Sequence, residues 1–418
     1  MSEERNKTAV LVLRSEPSSW ERKKESYRLK ELEMLANAAG YNVVDTFTQV
    51  RHWDRRYHIG YGKTLSIAEH IAGKGVDTVI FHNKLTTMQL FNLSKQLGTE
   101  TMDRFHLILE IFARRAKTRV AKLQVEFASL SYELPKAREK VAISKKREHP
   151  GFMGFGSYEN SYEQDIRKRI AKVKEELGRY GARQHERRKR ETGKGLLRVA
   201  LCGYTNAGKS TLLNVLSGGE YANVSDQLFT TLSPTTRRMN VGKRKALITD
   251  TVGFIEELPH FMIDAFRSTF SEIYEADLVL LVVDASESVP SIHRKLVASH
   301  ATLFEDISDV PIITVFNKID SAAGFAPQAF RELAPNPVMV SAKLGVGLDE
   351  LKTTMSHLLP SWREEYVELP MCASSMSALS LLYERGVVER AQFDDSIKVR
   401  FRACDEVSSK LKKGKRHG

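Results

Sequence analysis

The residues best placed to do chemistry are a lysine and a serine closing a glycine-framed octet, G-Y-T-N-A-G-K-S at 203–210. An apolar strand pattern, LRVALCG (197–203), leads into it, and TLLNVLSG (211–218) has helical spacing after it. Strand, glycine loop and helix in that order form a cradle for nucleotide phosphates. Gly203 and Gly208 let the backbone close, so that the N–H groups of Tyr204, Thr205, Asn206 and Ala207 and the start of the helix at Thr211 face an anion. Lys209 brings a cation to the β and γ oxygens, and the Ser210 hydroxyl suits Mg²⁺. Asn206 has two readings, a contributor to a monovalent-cation site or a loop-stabilising amide.

Three further short motifs follow, each at a strand end. Asp250, Thr251, Val252 and Gly253 end KRKALITD: the aspartate fits the magnesium side, acting through water, and the Gly253 N–H is placed to sense a γ-phosphate. Asn317, Lys318, Ile319 and Asp320 end PIITVFNK. A carboxylate at Asp320 can accept from the N1–H and amine of guanine, a donor pair adenine lacks. Ser341, Ala342 and Lys343 follow PVMVS and close over the base. Between cradle and DTVG lies LFTTLSPTTRR (228–238), where a mobile loop must offer a hydroxyl to Mg²⁺ and the γ-phosphate. Thr231 is the preferred residue there, with Thr230, Thr235 and Thr236 as competitors. Lys209, Thr231 and Gly253 are the catalytic candidates. Phe254 stands where a water-positioning glutamine is expected, which predicts slow hydrolysis without a partner.

The elements that must position these residues read as α/β throughout. Residues 8–97 alternate strands (8–14, 41–50, 77–82) with helices (20–39, 63–73, 85–97), predicting a small parallel-sheet domain over 1–102. From Phe105 to Leu130 apolar residues step by three or four; Tyr162, Ile166, Ile170, Val173, Leu177 and Tyr180 repeat the pattern. Residues 136–158 between them, basic and glycine-containing, are expected to leave the helix. The spacing predicts an antiparallel helical hairpin over 103–195, a protruding lever about 40–50 Å long. A Ras-like P-loop domain over 196–362 and a small appendage over 363–418 complete the chain. Within the appendage, GVVERAQFDDSIKVRF reads as a hairpin and SSKLKKGKRHG as a basic tail.

Composition is that of a globular protein, 42% hydrophobic and 28% charged. No apolar run reaches membrane-spanning length and the N-terminus is polar, so a cytoplasmic protein without stable membrane insertion is expected, peripheral association being left open. Cys202, Cys372 and Cys404 show no ligand spacing, nor do His293 and His300 need a metal. The net charge is +12, and residues 104–195 carry 24 Lys and Arg against 12 Asp and Glu. One segment thus holds the whole excess, which points to a polyanion, RNA first. HIGYGK (58–63) before a helix is read as a turn, with an anion site (Gly60, Gly62, Lys63) as the alternative.

Together the motifs resemble the HflX family of translation-associated GTPases. GYTNAGKST, LFTTLSPTTR, DTVGFI followed by LP, and DRFHLILEIFARRAKTRVAKLQVEFASLSYELP (103–135) look like that family's versions. GSYENSYEQDIR is similar to its hairpin-end stretch, with Ser157 and Tyr158 replacing a proline and a glycine. Val120 and Ala121 stand for its Glu-Gly. The resemblance implies a GTPase site on 203–210, on Phe229, Thr230, Thr231, Leu232 and Ser233, on 250–253 and on 317–320, with Thr231 and Ser210 as Mg²⁺ ligands. Ser233 replaces the family's usual aspartate. It also implies a partner of the large ribosomal subunit and its RNA, acting in splitting or rescue of stalled ribosomes; a monomer whose GTP hydrolysis the ribosome stimulates is expected. Other readings are an RNA-remodelling protein using nucleotide in its N-terminal domain, and a GTP switch for a protein effector.

Overall fold

The computed structural model describes residues 7–147, 156–192, 197–218, 234–242, 244–251, 253–254, 260–266, 273–304, 310–322, 324–359, 362–385 and 387–404. They fall into two compact units, one reaching Glu176 and one beginning at Leu177.

In the first unit, β1 (Lys7–Ser15) is flanked by β2 (Tyr41–Val50) and β3 (Thr78–Phe81), with β4 (Glu100–Asp103) at the edge. All pairings are parallel, in the order β2-β1-β3-β4. Ala9 to Leu13 are buried on both faces of the sheet, which is why the run is continuously apolar rather than alternating. Each such Val or Leu contributes roughly 1.5–3 kcal/mol when fully buried. Helices α1 (Ser19–Ala38), α2 (Tyr61–Ile71) and α3 (Thr87–Leu97) connect the strands. A reciprocal capping box between Thr86 and Gln89 starts α3, and Gly98, at φ +68°, ends it. The β4 strand was not anticipated: ETMD is short and polar, and only pairing with β3 makes it a strand.

The stripe beginning at Phe105 divides into two helices. Asp103 caps α4 (Arg104–Arg115), its carboxylate accepting from the His106 N–H. Leu107, Ile108, Leu109, Ile111 and Phe112 are all buried, a face too wide for a two-helix seam. This helix packs on α1, β3 and β4. After a break at 116–118, α5 (Arg119–Arg147) runs through Pro135 without ending. Residues 136–147 are therefore helical, against the expectation of a loop. The run KAREKVAISKKR is rich in good helix formers, and the proline and glycines of the expected loop begin only at Pro150. The glycine-containing tip at 148–155 lies outside the described residues.

The hairpin itself forms. Helix α6 (Gly156–Thr192) lies antiparallel to α5, with Arg119–Glu176 (3.0 Å), Arg169–Glu126 (2.9 Å) and Arg138–Glu163 (3.0 Å) pairing across it. Ile166 and Val173 fill the seam, whereas Tyr162 is exposed. A freely protruding lever is not what results over 119–139. The Tyr132 hydroxyl reaches buried Asp103, and Glu139 accepts from the Thr87 N–H at the start of α3 (3.2 Å). Half of α5 is thus seated on the sheet domain.

In the second unit a six-stranded sheet has the order β10-β9-β8-β5-β7-β6. These are β5 (Leu197–Gly203), β6 (Thr235–Val241), β7 (Arg244–Asp250), β8 (Leu278–Asp284), β9 (Ile312–Asn317) and β10 (Val338–Met339). Only β6 is antiparallel, to β7. Helix α7 (Lys209–Leu216) follows β5; α8 (His260–Ala265), α9 (Val289–Phe304) and α10 (Leu348–Leu358) come later. The C-terminal sheet, β11-β13-β12, is formed by β11 (Trp362–Pro370), β12 (Val387–Phe393) and β13 (Ser396–Cys404). Helix α11 (Ala373–Arg385) packs on β12 and β13. The expected β12–β13 hairpin is present, and the third strand adds an edge that the sequence did not reveal. The basic tail lies outside the described residues.

Candidate functional site

Strands β5, β7, β9 and β10 run parallel, so their C-terminal ends gather at one edge of the sheet. That edge is where open α/β sheets hold ligands. It carries Gly203, Asp250 and Asn317, with Ser341 two residues past β10.

The loop after β5 can close only because two of its residues lack a Cβ. Gly203 has φ +136°, and a Cβ there would lie 2.2 Å from the Val282 carbonyl oxygen. Gly208 has φ +90°, and its Cβ would meet Asn317 Nδ2 at 2.2 Å. Asn206 also adopts a left-handed conformation, φ +63°, which fits the loop-stabilising reading of this asparagine.

Lys209 is buried, with its Nζ donating to the carbonyls of Gly203 (3.0 Å) and Tyr204 (2.9 Å). Burial pushes its pKa down, and the Asp250 carboxylate works in the opposite direction. An anion in the cradle would favour the charged form. The Ser210 hydroxyl donates to Asp250 Oδ2 at 2.7 Å. A hydroxyl and a carboxylate side by side are hard oxygen donors of the kind Mg²⁺ takes, in small number beside phosphates and water.

The segment after Asp250 is fastened to the cradle. Phe254 donates its N–H to the Gly203 carbonyl (3.0 Å) and accepts from the Thr205 N–H (3.1 Å). Its ring is buried, edge-on to Tyr204 at 6.2 Å. A side chain so placed cannot hold a water. Thr251 donates its hydroxyl to Leu201 (2.7 Å), and a Cβ on Gly253 would lie 2.8 Å from Lys209 Nζ. Val252 lies outside the described residues, as do Phe229, Thr230, Thr231, Leu232 and Ser233. Two competitors for the switch hydroxyl are nevertheless placed. Thr235 begins β6, paired with Asp250, and the Thr236 hydroxyl is hydrogen-bonded to Thr249 (3.0 Å).

Asn317 joins the two halves of the edge. Its Nδ2 donates to the Ala207 carbonyl (2.9 Å), and its Oδ1 accepts from the Ala342 N–H (3.0 Å). Asp320 is exposed and accepts from the Ser341 hydroxyl (2.5 Å) and from Ser321 (3.1 Å). The Ser341 hydrogen bond holds its carboxyl below the usual range. Ser341 is pinned in a tight turn by hydrogen bonds with Val346. Ile319 follows at the start of a short 3-10 turn, and the Lys343 cation also favours the ionised Asp320. Lys318, left-handed at φ +64°, pairs with Asp284 (2.7 Å). Sequence reasoning missed Asp284; a lone acid ending the apolar run LVLLVVD was the available signal.

Other singled-out residues fall away from this edge. The Gly60 N–H is occupied by Gln49 Oε1 (2.8 Å), and of HIGYGK only residues 58–60 lie outside a helix, Tyr61, Gly62 and Lys63 forming the first turn of α2. His300 is held by the Leu333 carbonyl. Cys202 is buried with its thiol pushed up to about 12 by that burial, and Cys372 is exposed.

A P-loop, a DTVG strand end and an N-K-x-D loop on one parallel-sheet edge define the class as the P-loop GTPases. Family models agree: that of the GTP-binding GTPase N-terminal region matches residues 26–113, that of its middle region residues 115–191, and that of the 50S ribosome-binding GTPases residues 198–318. The GTPase HflX of Methanocaldococcus jannaschii is 44% identical over 348 residues, 82% of this chain and 84% of that one. That of Escherichia coli K12 is 35% identical, covering 80% of each chain. Among solved structures, the complex of SsGBP with GDP is 27% identical with a TM-score of 0.50, covering 84% of this chain and 98% of that one. The chain belongs to the HflX family of GTPases.

Proposed function

We propose that this GTPase couples the state of its nucleotide to binding of the large ribosomal subunit, acting in the cytoplasm as a monomer to split or rescue stalled ribosomes. Two observations support the ribosome. The family model that matches residues 198–318 is described as that of the 50S ribosome-binding GTPases, and the hairpin segment carries the chain's whole positive excess. The exposed lysines Lys168, Lys172 and Lys174 lie on α6, where phosphates can reach them. No helix among the described residues is long and apolar enough to cross a membrane.

In the site, the 203–208 amides and Lys209 bind the β and γ phosphates. Ser210 and Thr231 would hold Mg²⁺ directly and Asp250 through water, and the ion would supply positive charge against the negative charge that builds during transfer. Gly253 senses the γ-phosphate. Asp320 reads guanine, with Asn317 and Ala342 bracing the base loop and Ser341 orienting the carboxylate. The observation that carries the mechanism is the buried ring of Phe254. It leaves no side chain at that position to orient water, so hydrolysis is slow until a ribosomal partner completes the site.

Co-sedimentation with ribosomal subunits, comparing a GTP analogue, GDP and no nucleotide, tests the reading. Pelleting with the large subunit only in the analogue's presence, together with faster GTP turnover on adding subunits, is expected. Equal pelleting in all three states, or rapid hydrolysis by the protein alone, would sink it.

A further inference from the structure

The nucleotide chemistry makes no use of RHWDRRYHIGY, residues 51–61 in the sheet domain. Arg51, His52, Trp53, Arg55, Arg56 and Tyr61 are all exposed, Trp53 by 57% and Tyr61 by 52%. The loop is nevertheless rigidly built. Asp54 and His58 exchange backbone hydrogen bonds (3.0 and 2.9 Å), with His58 in a left-handed conformation. Asp54 Oδ1 accepts from the Arg56 and Tyr57 N–H groups (2.7 and 2.8 Å). Gln89 and Asn92 of α3 donate to the Asp54 and Arg56 carbonyls (2.8 and 3.0 Å), while Tyr57 and Ile59 are buried beneath. The loop's one carboxylate is thus turned onto backbone amides; Glu16 pairs with His52 at its edge (3.0 Å), and the face around Trp53, Arg55 and Arg56 is aromatic and cationic.

We propose that this loop binds single-stranded RNA, with Trp53 stacking on an unpaired base and Arg55 and Arg56 neutralising the adjacent phosphates. Stacking on an aromatic beside backbone-neutralising arginines is how unpaired strands are held without sequence preference. A duplex fits less well, because its bases are already stacked on one another and offer Trp53 no face. A protein partner fits less well too. The core of a protein interface is contiguous and depleted in charge, whereas here charged residues flank Trp53 on both sides at a distance of one or two positions. The surface requires neither the hairpin nor bound GTP, so it adds to the ribosome reading and does not depend on it.

Fluorescence anisotropy of the full-length protein with labelled oligouridylate RNA, single-stranded or annealed to its complement, tests this. Trp53→Ala is expected to weaken single-strand binding about tenfold, with Trp53→Phe close to the parent and duplex binding unchanged. Replacing Arg55 and Arg56 together by alanine should lower the salt slope of single-strand binding by about 1.4. A urea-unfolding midpoint unaltered in every variant reports that the sheet domain is intact. Parent-like single-strand binding by Trp53→Ala, or an equal loss for duplex, overturns the proposal. Co-sedimentation with ribosomes through the α6 lysines is a separate readout, so failure of one reading is distinguishable from failure of the other.

Discussion

The Tyr132 hydroxyl donates to Asp103 Oδ2 at 2.6 Å, joining the middle of α5 to the last residue of β4. The same carboxylate accepts from the Leu85 N–H (3.1 Å) and caps α4 through His106 (3.0 Å). One buried acid therefore organises a strand end, a loop and two helices. It ties the hairpin to the sheet, and its negative charge, after burial, pushes the Tyr132 phenol further up.

Tyr132→Phe should destabilise the sheet domain by ~1–3 kcal/mol, since it removes a donor from a buried carboxylate. Urea unfolding of the full chain, followed by circular dichroism, checks it. A midpoint equal to the parent's would mean that Leu85 and His106 suffice for Asp103.

Acid should weaken the same domain. Burial, reinforced by Arg14, lowers the His58 pKa to about 4, and burial with Arg104 and Arg28 lowers that of His82 to about 3. The unfolded chain takes up both protons near the ordinary value of 6.5, and the folded one does not. Stability is therefore full above pH 6.5 and falls as the pH drops from there towards 4 and 3. Each histidine contributes about 1.4 kcal/mol per pH unit within its window. Urea midpoints at pH 7 and pH 5 measure the slope, and His82→Gln should flatten it; a pH-independent midpoint contradicts the assignment.

Asp320→Asn should shift preference from GTP towards xanthosine triphosphate. The carboxylate is ionised through the physiological range, because Ser341 holds its pKa below the ordinary value. An amide cannot accept from both guanine donors, and a hydrogen bond to a charged group is worth roughly 1.5–3 kcal/mol. Competition binding should show GTP affinity falling by about ten- to a hundredfold. Unchanged GTP affinity would remove Asp320 from base recognition.

Charge reversal on α6 should act through salt-sensitive binding. Arg167 and Arg169 are engaged by Glu163 and Glu126, so Lys168, Lys172 and Lys174 make the cleaner set. Their joint replacement by glutamate should lower ribosome affinity and flatten its salt dependence while GTP binding in solution stays as before. Subunit pelleting across a salt series decides; the parent's slope in the variant would locate the contact elsewhere.

The nucleotide edge was legible because its motifs encode local geometry: Gly203 and Gly208 must reach left-handed angles, and Asp250 and Asn317 end apolar strands. What joins those motifs was not legible. Asn317 bonds to Ala207, 110 residues away in the chain, and no spacing rule announces it. Helix α4 was read as part of the hairpin because a three-to-four periodicity is the same whether a helix faces a partner or a sheet. The β6 strand was hidden in the polar run at 235–238, where pairing with β7 supplies what hydrophobicity does not. At 136–147 the expected loop begins too early, since the helix-breaking proline and glycines start at Pro150 and KAREKVAISKKR before them favours a helix.

The Asn317 side chain has a consequence for how the ligand is felt. Since one amide is shared between the phosphate loop and the loop behind Ala342, ordering either should favour ordering the other. The two ends of a nucleotide then report on each other. A nucleoside lacking phosphates should grip weakly, and pyrophosphate lacking a base likewise, yet each should sharpen the protein's hold on its missing half. Discrimination between guanine and adenine at one end should thereby be felt at the end where bonds are broken.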